Sequence, residues 1–280
     1  MRKDTLEAPK MNVMKKLEQY QTETLYLLIA IAIAIPILNP IGLPIKMSSD
    51  TKVFYDLIES LPPGAIVHYG IDPEIGGFEE LRARMVAIGR QIFEKDVKVV
   101  FVGFDPNAPP IYNMLIEDIG IPSEKEYGKD YVFLGYIPGK EIAIASYAKD
   151  IHELLSVDFF GTPLEELELM DSVRDIRDFD LAMSFSSHGL PLNYVDQIYV
   201  PYNVPLGVCV IGVMAPEIRP YYPDQISGFL STPRMGAEYE LLINRPGIGI
   251  ADFDAQTIAH AVLIIFIVAG NLIEFKRRLK

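Results

Sequence analysis

A mostly parallel α/β sheet lying between two transmembrane helices is the fold class this sequence predicts, and three observations predict it. Two stretches lack Asp, Glu, Lys and Arg altogether, residues 24–45 near one end and residues 255–273 near the other. Between them, short continuous apolar runs alternate with segments of helical periodicity; such strands are buried on both faces, as in a parallel sheet covered by helices. The third observation is hydropathy: with 50% hydrophobic residues the chain has a positive mean hydropathy of +0.20, and the two terminal stretches account for the excess.

Taken in order, residues 1–23 hold five basic and four acidic side chains and read as a cytoplasmic N-terminal segment. The 22 uncharged residues 24–45 are long enough for a first transmembrane helix. A cleaved signal peptide competes with that reading, but Asn39, Pro40, Gly42 and Pro44 follow the apolar core with no small-x-small cleavage pattern, which favours an uncleaved anchor. Pro36 and Pro40 are expected to kink or end the helix, because each removes a backbone donor and crowds the preceding turn.

The α/β domain is assigned to residues 46–254. Val53, Phe54, Leu57, Ile58 and Leu61 recur at helical spacing until Pro62, Pro63 and Gly64. A strand is predicted over 65–71, then a helix with Phe78, Leu81, Met85, Ile88 and Ile92 on one face, then a β-branched strand over 97–104. A short helix at 111–119, a strand at 131–137 and a helix at 142–155 continue the alternation. Thr162, Pro163 and Glu165 have the pattern of an N-cap, a first-turn proline and a capping-box acid, predicting a helix to about Val173. Strands at 179–185 and 206–214 follow, and 223–244 reads as a helix restarted at Thr232 and Pro233. This alternation makes a Rossmann-like or flavodoxin-like sheet the predicted architecture. Gly-x-x-Pro follows three of the apolar runs, beginning at Gly70, Gly103 and Gly135, which places three loops on one edge of the sheet.

Asp254 is expected to cap the second transmembrane helix, residues 255–273. The tail 274–280, with Lys276, Arg277, Arg278 and Lys280, should stay on the cytoplasmic side. Both termini are then cytoplasmic, and the domain is extracytoplasmic at a cell membrane. The two ends hold nine of the 25 basic and five of the 38 acidic groups, leaving the domain 16 basic against 33 acidic, a net charge of about −17. Such a domain is repelled by phosphate backbones, so nucleic acid is not an expected partner.

Ligands of open α/β sheets sit beyond the carboxyl ends of the strands. Asp72, Asp105, His188 and Glu217 all follow predicted strands and are the candidate ligand-binding residues. Two carboxylates and an imidazole can bind a divalent cation or share acid and base roles; the competing account of each aspartate is an Asp-Pro turn. Ser184, Ser186 and Ser187 adjoin His188, but no GxSxG elbow is present. The segment Pro138-Gly139-Lys140 lacks the rest of a P-loop, and Gly247-Ile248-Gly249 lacks the third glycine of a dinucleotide fingerprint. No CxxC or HExxH spacing occurs, so neither a metal site nor a cofactor is assigned by motif, and no residue is assigned as catalytic. Cys209, the one cysteine, reads as a small buried hydrophobe, His68 as an interior or edge residue and His152 as a helix-surface residue.

Within the membrane helices, Ala30 with Ala34 and Ala255 with Ala259 offer small faces for helix packing, while Gln256, His260 and Asn271 call for a polar partner. The expectation is a two-span membrane protein whose acidic domain works by binding or assembly, as an oligomeric scaffold or accessory subunit partnered with the bilayer and with itself or another membrane protein. The alternative is a membrane-tethered enzyme or ligand sensor with its site at the carboxyl ends of the strands.

Overall fold

The computed structural model describes residues 21–279. The N-terminal segment 1–23 therefore falls almost wholly outside the described residues, as does Lys280 of the basic tail. The chain divides into two units, residues 44–250 and the pair of flanking segments.

The first unit is the α/β domain. Its elements are α2 (Ser49–Glu59), β1 (Ala65–Asp72), α3 (Ile75–Glu94), β2 (Val97–Gly103), α4 (Ala108–Ile119), β3 (Tyr131–Tyr136), α5 (Glu141–Lys149), β4 (Leu181–Ser186), β5 (Leu206–Val210), β6 (Gly228–Leu230) and α6 (Arg234–Leu242). Among the described residues the six strands form one sheet in the order β3-β2-β1-β4-β5-β6, every neighbouring pair parallel. This is the Rossmann strand order rather than the flavodoxin one. From β1 the chain moves outward to β2 and β3, and from β4 it moves the opposite way, so the switch point lies between β1 and β4.

Side chains alternate between two cores. Val67, Tyr69 and Ile71 of β1 pack with Phe101, Met183 and Phe185 under α2, α3 and α4. On the other face Ile66, Val100, Val102, Val132 and Val208 pack with α5 and the segments between β3 and β4 and between β4 and β5. Both faces are covered, so β1, β4 and β5 are buried at every position and read as largely apolar runs.

The remaining differences from sequence have local causes. Residues 163–173 form 3₁₀ turns, Leu164–Glu166 and Glu168–Ser172, rather than a capped helix, because the Asp158 carboxylate, not Thr162, closes this loop, accepting from Phe160 N at 2.9 Å and Thr162 N at 2.8 Å. The helix expected over 142–155 breaks at Asp150, whose extended backbone starts a new turn with its side chain accepting from Glu153 N. The strand expected to reach residue 214 ends at Val210 and passes into a 3₁₀ turn, Gly212–Met214. Within 223–244, read as a broken helix, lies the edge strand β6, only three residues long. The three Gly-x-x-Pro echoes serve different needs: Gly70 and Gly103 leave room for close neighbours, and Gly135 takes a left-handed φ of 83° where the β2–β3 register shifts.

Two buried acids on α6 start other helices. Glu238 accepts from Ser48 N and Oγ and from Thr51 Oγ1 at 2.6–3.0 Å, at the start of α2. Glu240 accepts from Gly247 N, Gly249 N and Ile250 N at 2.8–2.9 Å. Those are orphan donors at the start of the long last helix, α7 (Ile248–Arg278).

In the second unit, α1 (Gln21–Leu38) contains Pro36 and ends before Pro40. Its apolar part, Leu25–Leu38, is shorter than a span, whereas Ile248–Leu272 of α7 is long and apolar enough to cross a membrane; it is the one such helix among the described residues. Asp254 is not an N-cap, since α7 begins six residues earlier. Its buried carboxylate accepts instead from Ile41 N and Gly42 N at 2.7 Å and from Leu43 N at 2.9 Å, in the segment leaving α1.

Candidate functional site

The carboxyl edge of the sheet at its switch point gathers the polar side chains that the two cores exclude. Asp72, the last residue of β1, is fully buried beside Ser186, its register partner on β4. Its Oδ1 accepts from Phe104 N at 2.7 Å, and its Oδ2 accepts from Tyr194 Oη at 2.9 Å and Ser184 Oγ at 3.4 Å. Gly70 is what admits Tyr194: a Cβ there would stand 2.4 Å from the tyrosine oxygen.

The chain of hydrogen bonds continues inward. Tyr194 Oη lies 3.0 Å from His68 Nε2, and His68 Nδ1 lies 3.1 Å from Tyr147 Oη, all of them buried. With Asp72 ionised, one arrangement satisfies every group: Tyr147 donates to Nδ1, Nε2–H donates to Tyr194, and Tyr194 donates to Asp72. Burial drives the His68 imidazole down to about 3, so it is neutral. Burial also pushes the Asp72 carboxyl up to about 7; the Asp105 charge adds to the rise, and the bonds from Phe104, Tyr194 and Ser184 oppose it.

Above this network lie the loops that follow β1, β2 and β4. Asp105 is nearly buried; its Oδ1 accepts from Asn107 N at 2.9 Å and Asn107 Nδ2 at 2.7 Å, and its Oδ2 stands 3.8 Å from His188 Nε2. His188 is held by its backbone: Ser186 Oγ accepts from His188 N at 3.2 Å and donates to His188 O at 3.0 Å. Its Nδ1 is buried without a hydrogen-bond partner. Burial lowers the His188 pKa, outweighing the neighbouring charges of Asp105 and Glu74, and Lys140 acts in the same direction as burial. Glu74, exposed at the N-cap position of α3, donates from its backbone N to Ser187 Oγ at 2.9 Å. Gly77 lets that serine sit against α3, since a Cβ there would meet Ser187 Cβ at 2.3 Å.

One ligand atom each from Glu74, Asp105 and His188 falls within a 4.8 Å group. Of the four residues picked from sequence, the fold therefore brings Asp105 and His188 together, sets Asp72 behind them in the buried network, and leaves Glu217 on a short neighbouring helix, Ala215–Ile218. The Glu217 carboxylate stands 3.6 Å from where a Cβ on Gly189 would be. Glu74 was readable, being two residues beyond Asp72 at the start of a helix; Tyr147 and Tyr194 carried no signal, because ordinary helical tyrosines look the same. His68 is interior, as expected. His152 is half-buried rather than on a helix surface, with Nε2 at 3.2 Å from Met170 O and 2.9 Å from Val173 O. It borders a cavity of about 660 Å³ lined also by Leu155, Val157 and Leu164.

In the flanking unit Ala30, Ala34, Gln256, His260 and Asn271 are exposed along their helices, and Ala259 is half-buried. Compared with known protein families, curated proteins and solved structures, the chain finds no match.

Proposed function

We propose that this chain is a membrane-anchored binding protein whose acidic α/β domain takes a ligand at the carboxyl edge of its sheet. The observation that carries the reading is the meeting of Glu74, Asp105 and His188 at the switch point, over the buried Asp72. Open α/β sheets take ligands in that crevice. No nucleophile with an adjacent base accompanies the group among the described residues, which favours binding over covalent catalysis.

Both apolar helices serve as anchors in this reading. Leu25–Leu38 is 14 residues, or about 21 Å of helix, short of a full span, and an uncharged non-helical run continues from it to Ile45. Asp254 satisfies the donors of Ile41, Gly42 and Leu43, which backbone leaving a bilayer requires. The basic tail keeps both termini cytoplasmic and the domain extracytoplasmic.

The test is thermal unfolding of the full chain in mild detergent against a panel of divalent cations, phosphates, nucleotides and small carboxylates. At least one ligand raises the melting temperature of the parent chain and does not raise that of His188→Ala. A panel that leaves the parent chain unmoved refutes a site at this edge.

A second reading, self-assembly through the membrane helices, rests on Gln256, His260 and Asn271. All three are exposed on α7, and polar groups within a bilayer turn toward another helix. Cross-linking in mild detergent yields dimers or higher species on this account; monomers alone would exclude it.

A further inference from the structure

We propose that Glu74, Asp105 and His188 bind a divalent transition-metal ion of the zinc class, a ligand assignment that rests on the carboxyl-edge reading above. The donor set decides the class. Calcium and magnesium take oxygen ligands, whereas an imidazole with two carboxylates suits zinc, cobalt and their neighbours. Three protein ligands leave further positions for water or a second ligand, as in open zinc sites.

Each ligand arrives on a braced segment from a different strand. Asp105 uses its Oδ1 on Asn107, which directs Oδ2 toward His188 at 3.8 Å. That separation is too long for a hydrogen bond and close to the spacing of two ligands about a metal bonded at about 2.0–2.2 Å to each. The His188 backbone is pinned at both N and O by Ser186, and the loop between them is tied to the start of α3 by Ser187. Glu74 is exposed and free to close on an ion with a change of rotamer. The His188 ring carries independent testimony: Nδ1 is buried with no partner, and Nε2 has only Asp105, beyond hydrogen-bond range. The ring is partly exposed, with 26% of its side-chain surface accessible, so Nε2 stands open to an ion, while native structures rarely leave a buried polar atom such as Nδ1 without a partner. The domain's excess of acidic side chains draws cations to the site.

The experiment titrates the full chain, stripped with chelator and held in mild detergent, with Zn²⁺ and Co²⁺ by calorimetry and visible absorption. One equivalent of each binds, Co²⁺ acquires the absorption of a low-coordinate nitrogen–oxygen site, and Mg²⁺ and Ca²⁺ bind more weakly. His188→Ala, Asp105→Asn and Glu74→Gln each weaken Zn²⁺ on the order of tenfold or more; Glu165→Gln, an exposed acid elsewhere, does not. Glu74→Gln alters an exposed side chain and keeps the test decisive should either of the other variants fail to fold. Absence of saturable binding, binding indifferent to all three substitutions, or tighter binding of Ca²⁺ or Mg²⁺ overturns the proposal. An organic ligand that stabilises the chain through His188 while no metal binds would overturn the metal assignment and leave the carboxyl-edge site standing.

Discussion

At the residue scale the central object is the line Tyr147–His68–Tyr194–Asp72, which ends beneath the candidate ligands. Folding moves a proton along it. In the unfolded chain at pH 5 the imidazole is charged and the carboxyl ionised; in the fold, burial leaves His68 neutral and Asp72 protonated. For Asp72, raised to about 7, the native state binds the extra proton, so its contribution falls as pH rises from about 4 to 7. For His68, lowered to about 3, the unfolded state binds it, so its contribution is lost as pH falls from about 6.5 to 3. Between about 4 and 6.5 the two slopes oppose each other. We predict that in chelator-treated protein Asp72→Asn loses stability steeply as pH falls below 6.5, whereas His68→Gln loses stability as pH rises from 4 to 7. Melting temperatures measured across that range check it; parallel profiles for the two variants would contradict it. Tyr194→Phe strands His68 Nε2 and removes a donor from Asp72, and should cost about 1–3 kcal/mol in reversible unfolding. Asp72, Asp105 and His188 were legible because they sit just past apolar runs. The line of four was not, since His68, Tyr147 and Tyr194 meet only after three separate elements are packed.

At the element scale, strands buried on both faces were the readable part, because their short, largely apolar runs stand out from helical periodicity. The edge strand β6 was unreadable: three residues show no period, and its pairing to Gly207, Val208 and Cys209 is a property of its partner. Helix starts were misread where a carboxylate from another element does the capping. Thr162 and Asp254 look like local caps, yet Leu164 N bonds Ser156 O while Asp158 accepts from Phe160 N and Thr162 N, and Glu240 takes the donors at the start of α7. Glu238 and Glu240 on α6 thereby fix the beginnings of α2 and α7. Glu240→Ala is predicted to destabilise the chain by about 1–3 kcal/mol through the three donors it abandons, against a negligible change for exposed Glu165→Ala. Equal melting temperatures for the two variants would remove Glu240 from that role.

At the scale of the whole molecule, a six-stranded parallel sheet carries a polar cluster at its switch point, and the chain on either side of it is apolar helix. The sequence suggested two spans, of 22 and 19 residues. The helix α1 ends at Leu38 because prolines crowd its far end, and α7 is the longer of the two, reaching from Ile248 past Leu272. We propose that both helices hold the domain on the opposite side of the bilayer from the basic tail. Single-cysteine variants of the full chain, carrying Cys209→Ser, test it in sealed vesicles with a membrane-impermeant maleimide. Glu23→Cys and Leu279→Cys should label from one side and Glu124→Cys on the domain from the other. Labelling of Glu124→Cys from the same side as Leu279→Cys would contradict it.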